Sequence, residues 1–192
     1  MDEVHTQRDV YGADLVVLLV DRDMYDLWPL IRVYGIAYVM DNLEINFEDH
    51  AFAVVDYDDV DKDLFVFAHE TGHLMSGRHE WEVDSLNNSP YSYNHGYANY
   101  DWLGGRWVTI MAAPLANLGC VAPPCYPINH WSNPDILYNG KPTGVPEGAY
   151  HAADNRKTLN NNLIYTSNWR IHVDYDLSHK VRGYATCEYD DY

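Results

Sequence analysis

One segment of this chain carries more information than any other: His69-Glu70-Thr71-Gly72-His73-Leu74-Met75-Ser76-Gly77-Arg78-His79. Residues four apart on an α-helix are offset by only ~40° around its axis, so His69 and His73 face the same way. Two imidazoles on one face of a helix can hold one side of a Zn²⁺ ion. Glu70 lies one step round the helix, beside the metal rather than on it. The spacing therefore predicts a metal site built on a helix.

The third histidine can complete this site only if the helix ends before it. His79 lies too far along to share the helix face, and we expect Gly77 to let the chain turn back. Three neutral nitrogen ligands leave a fourth position open for water, as in catalytic rather than structural zinc sites. Such water has a pKa of about 7, and Glu70 is placed to take its proton. The alternative is an exposed, His-rich helix end without metal, but the apolar flank Phe65-Val66-Phe67-Ala68 is typical of a buried helix.

These residues resemble the zinc signature of the metzincin metallopeptidases, as in the reprolysin-like and adamalysin-like proteases. The family also carries a methionine in a tight turn beneath the zinc, the Met-turn, and Met111 falls where the family would place it. The segments Trp131–Asp135 and Ala153–Asn160 are similar to the C-terminal part of bacterial, secreted, reprolysin-like proteases. The resemblance extends from about Tyr11 to Asn168.

The resemblance implies an α/β (α+β) fold of the zincin type. We expect a mixed, mostly parallel sheet with the active-site helix, and an irregular C-terminal subdomain that contains one helix. The substrates would be proteins or peptides, cleaved by water that the metal and a glutamate activate. The expected site residues are the Zn²⁺ ligands His69, His73 and His79, the general base Glu70, the packing residue Met111, and the pocket-wall residues Ala112, Ala113 and Pro114.

The sequence departs from the family pattern at three places. The family usually has glycine three residues after the second histidine, where this chain has Ser76, so we expect the turn to form one residue later, at Gly77. The residue after the third histidine is often Asp, and here it is Glu80. We expect the strand, helix and strand that open the family's N-terminal subdomain to be missing, because the sequence starts too late to supply them.

Length and charge narrow the class of protein. A chain of 192 residues fits one domain, which we divide into an N-terminal subdomain at 1–79, a C-terminal subdomain at 80–170 and a tail at 171–192. The net charge of −17 argues against nucleic acid and anionic membrane surfaces as partners. The sequence has no apolar window long enough to span a membrane and no signal peptide at its start. We expect a secreted, extracellular enzyme in which Met1 is an internal position of a longer precursor.

Local patterns predict the remaining elements. The predicted helices are Val4–Tyr11, closed by Gly12, the zinc helix Lys62–Met75, and Ala152–Ser167; the predicted strands are Ala13–Val20, Tyr34–Met40 and Ala51–Val55. We expect Ala13–Val20 to be buried on both faces. By resemblance, Tyr34–Met40 is the antiparallel edge strand against which an extended substrate pairs. Asp21–Leu30 is predicted to be a loop. From Asn87 to Gly105 the sequence shows few patterns typical of a helix or a strand.

The acidic run from Asp56 to Asp63 offers a competing metal motif. Counted from Asp59 it resembles an EF-hand loop, but its sixth position is Leu64 where the loop requires glycine. We therefore expect Asp59 or Asp61 to cap the zinc helix instead. Binding of Ca²⁺ elsewhere by these carboxylates stays open as an alternative.

Three further questions stay open in the sequence. Cys120 and Cys125 can close a small disulfide loop, with Cys187 left over, or all three are free thiols. The tyrosines between Tyr91 and Tyr100 line a peptide cleft or cover the C-terminal half. The other histidines, such as His95, lack paired ligand spacing and are expected to be solvated or satisfied in the core.

The sequence thus predicts a zinc-dependent metalloendopeptidase. The alternative is a binding or adhesion module that keeps the zinc but does not cleave peptides, or an incomplete fragment of such a protease. Glu70 favours catalysis, because a purely structural zinc site has no use for a base beside the metal.

Overall fold

The computed structural model describes residues 2–21, 33–43, 45–60, 64–85, 89–101, 105–114, 118–120 and 123–170. Within these ranges the chain is a mixed α/β structure with three α-helices and three small sheets. The predicted α/β class is confirmed at this level. Several predictions concern residues outside these ranges: most of the loop at 21–30, the capping residue Asp61, the start of the zinc helix at Lys62, Cys187 and the tail at 171–192.

The N-terminal sheet follows helix α1 (Asp2–Tyr11). Its strands, in spatial order, are β1 (Val16–Val20), β3 (Phe52–Asp56) and β2 (Gly35–Ala37). The central strand β3 pairs parallel with β1 and antiparallel with β2, where Gly35 lies opposite Val55. The sheet is therefore mixed, as predicted. It is not mostly parallel as predicted, because it contains one parallel and one antiparallel strand pair.

Strand β1 is less buried than its apolar sequence predicts. Leu18 and Leu19 are 53% and 45% exposed, so the prediction of burial on both faces is wrong. The physical reason is position: β1 is an edge of this sheet, and no described strand lies beyond it. The antiparallel edge strand β2 is confirmed, although it covers only three of the predicted residues.

Helix α1 ends as the sequence predicts. Gly12 has a φ of +59°, and the amides of Gly12 and Ala13 donate to the carbonyls of Asp9 and Arg8. Glycine adopts this left-handed conformation without the clash that a Cβ would cause, which is why it terminates helices.

Helix α2 (Val66–Leu74) carries the first two histidines of the motif and begins later than predicted. Its N-cap is Phe65, which has a left-handed φ of +54° and makes no side-chain cap. The predicted capping role of Asp59 is wrong, because Asp59 ends a separate 3-10 helix (Tyr57–Asp59) that Asp56 caps through the amide of Asp58. Two more 3-10 helices lie at Ile45–His50 and Leu118–Cys120.

The C-terminal half contains only short strands before its helix. Strands β4 (Ala98–Asn99), β5 (Trp107–Val108) and β6 (Tyr126–Pro127) form one sheet, and β7 (Leu137–Tyr138) and β8 (Lys141–Pro142) form a hairpin. Helix α3 (Asn155–Thr166) confirms the predicted C-terminal helix. Asp154 caps it by accepting from the amide of Lys157, and this cap explains why the helix starts three residues later than predicted.

Two apolar clusters support the two halves. The first packs Leu74 of α2 against the N-terminal sheet and Trp169, and the second joins Val108 and Ala112 to a disulfide between Cys120 and Cys125. The disulfide resolves the question that the sequence left open for these two cysteines. Among the described residues, no helix has the length and apolarity needed to cross a membrane.

Candidate metal centre

The three histidines of the motif converge on one point. The Nε2 atom of His79 lies 3.0 Å from that of His69 and 3.2 Å from that of His73. In the part of the chain that the structure describes, these are the only residues whose side chains form a group able to hold a metal ion. Zn–N bonds of about 2.0–2.1 Å in a tetrahedral site place two ligand nitrogens ~3.3 Å apart, so the triad is close to the span that Zn²⁺ requires.

Backbone carbonyls fix the orientation of two of these rings. The Nδ1 atom of His69 lies 2.7 Å from the carbonyl oxygen of Ile110, and Nδ1 of His73 lies 2.8 Å from that of Gly77. A carbonyl can only accept, so each Nδ1 carries the proton and each Nε2 presents its lone pair to the common point. Metal-binding histidines are held in this way in most proteins.

Burial keeps the three imidazoles in the form that binds a metal. Burial lowers the pKa of His69 to about 4, with a further contribution from His79. Burial also lowers the pKa of His73. It lowers the pKa of His79 as well, and the negative charge of nearby Asp84 only partly opposes this effect. Neutral imidazole is the ligand form, so these side chains are ready to bind a cation at neutral pH.

The turn that brings His79 back is a Schellman motif. The amide of Gly77 donates to the carbonyl of Gly72 at 2.7 Å, and the amide of Ser76 donates to that of His73 at 3.0 Å. The left-handed residue is Ser76, with a φ of +71°, and not Gly77. The prediction that the turn forms one residue later is therefore wrong. A Cβ on Gly77 would lie 2.9 Å from the carbonyl oxygen of Gly72, so Gly77 is required by close approach rather than by its φ.

Side chains from the C-terminal half hold the carbonyls of this turn. The amide nitrogen of Asn162 on α3 donates to the carbonyl of Met75, and that of Asn94 donates to the carbonyl of Ser76. Asn155 in turn donates to the carbonyl of Asn94. These asparagines are fully or almost fully buried, so the turn is fixed by a buried polar network.

His95 extends the network to the third histidine. Its Nδ1 lies 2.8 Å from the carbonyl oxygen of His79, and the backbone at Arg78 pairs with that at His95 as a parallel bridge. Ser132 donates to the carbonyl of His95 at 2.6 Å and also binds Asn155. His95 is thus fully buried in the core, with its Nδ1 bonded to the backbone of the third histidine. Sequence reasoning did not foresee its contact with His79, although Ser132 and Asn155 lie in the two segments that resemble the family.

Glu70 lies beside the triad and is 5% exposed. Burial raises the pKa of its carboxyl group to about 8. An opposite charge nearby favours the ionised form, so a dication held by the histidines would act against this rise. Gly35 of β2 faces this side chain.

The remaining predicted residues follow one another in the chain: Met111 lies buried behind helix α2, and Ala112, Ala113 and Pro114 line the cavity next to the triad. Met111 is fully buried, and a Cβ on Gly72 of α2 would overlap its sulfur atom, so its thioether packs directly against the helix. Glu80, the residue after the third histidine, accepts a hydrogen bond of 2.8 Å from the amide of Ala113. This bond ties the segment after Met111 to the end of the motif.

A cavity of about 520 Å³ opens in front of these groups. Its lining comprises the triad and Glu70, together with strand β2 and its neighbours, the start of α2, Asp84, Thr109, Ile110, Ala112, Ala113, Pro114 and Pro127. The tyrosines at 91–100 do not line it. Tyr91 and Tyr93 instead bind Asn162 and Asn161 of α3, so they cover the C-terminal half.

Comparison with known proteins agrees with this geometry. Residues 1–80 match the sequence model of the metallo-peptidase family M12B, reprolysin-like. The chain is also 39% identical over 161 residues to a peptidyl-Asp metalloendopeptidase of Stenotrophomonas maltophilia and 37% identical to one of Xanthomonas campestris, in each case over 84% of this chain. The resemblance to the reprolysin-like metallopeptidases is confirmed.

Two further comparisons show how much of the chain, and how much of each related protein, the similarity covers. A peptidyl-Asp metalloendopeptidase of Pseudomonas fragi is 45% identical over 75 residues, which cover 39% of this chain and 45% of that protein. A solved chain from a structure titled "Structure of a chaperone-substrate complex" is 17% identical with a TM-score of 0.55, covers 90% of this chain and 26% of that one, and supports the fold alone. The chain spans about a third of the length of the S. maltophilia and X. campestris relatives (33% and 32%).

Proposed function

We propose that this reprolysin-like chain is a zinc-dependent metalloendopeptidase that hydrolyses peptide bonds. The observation that carries the proposal is the convergence of three histidine Nε2 atoms beside one buried carboxyl group on the wall of a cavity. His69, His73 and His79 would hold the metal. Bound Zn²⁺ would polarise the scissile carbonyl and stabilise the negative charge that develops on its oxygen.

The chain's own residues supply the proton transfers and the positioning. Glu70 takes a proton from the attacking water as the water oxygen bonds to the scissile carbonyl carbon, and it delivers that proton to the leaving amine as the C–N bond breaks. Its burial at the cavity wall suits it to hold a proton between the two steps. The exposed edge of β2 pairs with the extended substrate, and Ala112, Ala113 and Pro114 form one wall of the pocket beside the scissile bond.

The finer family features belong to the same proposal. Met111 would be the methionine of a metzincin Met-turn, which is supported by its packing against Gly72 and by the bond from His69 to the carbonyl of Ile110. Secretion is supported by the disulfide between Cys120 and Cys125, because disulfides persist in oxidising compartments. Calcium has no such support: among the described side chains, only the histidine triad forms a metal-binding group.

We extend the proposal to the substrate class named for the relatives, cleavage next to aspartate. The described lining of the cavity contains Glu70 and Asp84 but no lysine or arginine. Within the described lining, an aspartate side chain would therefore be recognised by backbone and hydroxyl donors.

The test compares the purified protein with its Glu70→Gln variant on a mixed peptide library. Glu82→Gln is the matched control, because Glu82 is exposed and does not line the cavity. We expect cleavage by the parent and the control, and a loss of about 10²–10⁴-fold for Glu70→Gln, the range that a general base contributes. Paired peptides with Asp and Asn test the specificity. A parent that binds zinc but leaves every peptide intact would favour the binding module instead.

A further inference from the structure

Strand β2 approaches Glu70 at a residue that has no side chain. A Cβ built on Gly35 would lie 2.6 Å from both Cγ and Oε1 of Glu70 and 2.8 Å from its Cδ. Carbon atoms in ordinary contact lie ≈ 3.5–4.0 Å apart. Any L-residue at position 35 would therefore occupy space that the Glu70 side chain now fills.

The backbone at Gly35 does not itself require glycine. Gly35 is absent from the glycines with positive φ, and it pairs with Val55 in regular antiparallel register. Glycine in a strand interior is unfavourable relative to alanine, because it costs more conformational entropy and has no side chain to pack. Gly35 therefore weakens the strand without being needed for its backbone conformation. The space left by its missing side chain explains its presence, because the Glu70 side chain fills that space.

We propose that Gly35 is a positioning residue: the space left by its missing side chain sets the position of the Glu70 carboxylate beside the histidine triad. Of the two groups that meet there, β2 is fixed by its hydrogen bonds to β3, whereas the Glu70 side chain can rotate. A methyl group at position 35 therefore displaces the carboxylate and leaves the three histidines in place. The inference rests on the proposed role of Glu70 as the general base.

The first experiment measures kinetics, zinc and stability for Gly35→Ala. Leu18→Ala is the control, because Leu18 is half exposed on the opposite edge of the same sheet. We expect Gly35→Ala to keep zinc stoichiometry while kcat falls by about 10²-fold, the lower end of a general base's contribution. Crystal structures of the parent and Gly35→Ala would then show the Glu70 carboxylate displaced. Unchanged kcat, an undisplaced carboxylate or loss of zinc from Gly35→Ala would each overturn the proposal.

A double-mutant cycle covers the case in which Gly35→Ala does not fold. In the Glu70→Ala background the obstructing Cγ and carboxylate are gone, so we expect Gly35→Ala to be neutral or stabilising there. Equal destabilisation in both backgrounds would contradict the contact. Different results would contradict the proposed function itself: an inactive parent protein, or a Glu70→Gln variant that retains full activity.

Discussion

The Nδ1 atom of His95 donates to the carbonyl oxygen of His79, with 2.8 Å between the two atoms. His95 is fully buried, and its ring stacks on Trp81 with centroids 3.9 Å apart. Trp81 stacks in turn on His151. The backbone of the third metal-ligand candidate is therefore held by a histidine that contributes nothing to the triad itself.

Removal of this donor is expected to weaken metal binding. In His95→Leu the carbonyl of His79 loses its buried partner, and outer partners of metal ligands typically contribute 10–100-fold to metal affinity. We expect the zinc dissociation constant of His95→Leu to rise by about 10-fold or more, as measured by competition with a chromophoric chelator.

His151→Asn provides the control for this variant. It removes the second ring that stacks on Trp81, and asparagine tolerates the left-handed φ of +55° found at this position. We expect its zinc affinity to match that of the parent. Equal weakening in both variants would mean that the aromatic stack, and not the bond to His79, supports the site.

Ser76→Gly is expected to stabilise the fold. Ser76 is fully buried with a φ of +71°, and its hydroxyl group is among the described buried polar groups that lack a hydrogen-bond partner. A non-glycine residue in this conformation costs roughly 1–2 kcal/mol, which exceeds the entropic cost of glycine in the unfolded chain. We expect a gain of about 1 kcal/mol in the free energy of unfolding, or a Tm higher by about 2–4 °C.

The matched control is Ser92→Gly, at an exposed serine without a positive φ. Glycine there only adds freedom to the unfolded chain, so we expect a small loss of stability. Zinc affinity is expected to be unchanged in both variants. A Ser76→Gly protein that melts below the parent would show that the serine side chain packs favourably enough to offset its strain.

The positions of His69, His73 and Glu70 were predictable because they depend on helical periodicity alone. The return of His79 was also predictable from the motif, but the residue that allows it was not. Intrinsic preference pointed to Gly77 as the left-handed residue, whereas the close approach of Gly77 to Gly72 decided the geometry and left Ser76 in the strained conformation. A close backbone contact within the turn overrode the intrinsic preference of glycine for the left-handed position.

Other features could not be predicted because they join residues far apart in the chain. Asn94 and His95 bond to the backbone of Ser76 and His79, and Asn155 bonds to the backbone of Asn94, across separations of 16 to 61 residues. The late start of α2 depends on the left-handed backbone at Phe65, a residue with no local preference for it. The apolar sequence of β1 predicted burial, but burial depends on neighbouring strands that a single segment does not specify.

Zinc is expected to stabilise the folded protein through the three histidines proposed to bind it. A ligand that binds only the native state adds about 2.7 kcal/mol to the free energy of unfolding at a concentration 100 times its dissociation constant. We therefore expect the metal-free protein, prepared with a chelator, to gain several degrees in Tm when Zn²⁺ is restored. The measurement is thermal unfolding across a zinc titration.

His69→Ala and His130→Ala distinguish site binding from surface binding in this titration. His130 is partly buried but is not part of the triad. The zinc-dependent gain in Tm should vanish in His69→Ala and persist in His130→Ala. A gain that survives in His69→Ala would place the stabilising zinc elsewhere on the protein.

Glu80 is expected to tune the pocket wall through its bond to Ala113. Its side chain is 1% exposed and accepts from the Ala113 amide at 2.8 Å. Glu80→Ala would leave that amide without this acceptor and remove buried packing, so we expect a loss of about 2–3 kcal/mol in the free energy of unfolding. Because Ala113 lines the cavity, KM for peptides should also rise. Glu80→Gln keeps an acceptor oxygen at the same reach, so it should recover most of the parent's KM. If KM stays at the parent value in Glu80→Ala while stability falls, the bond supports the fold without shaping the pocket.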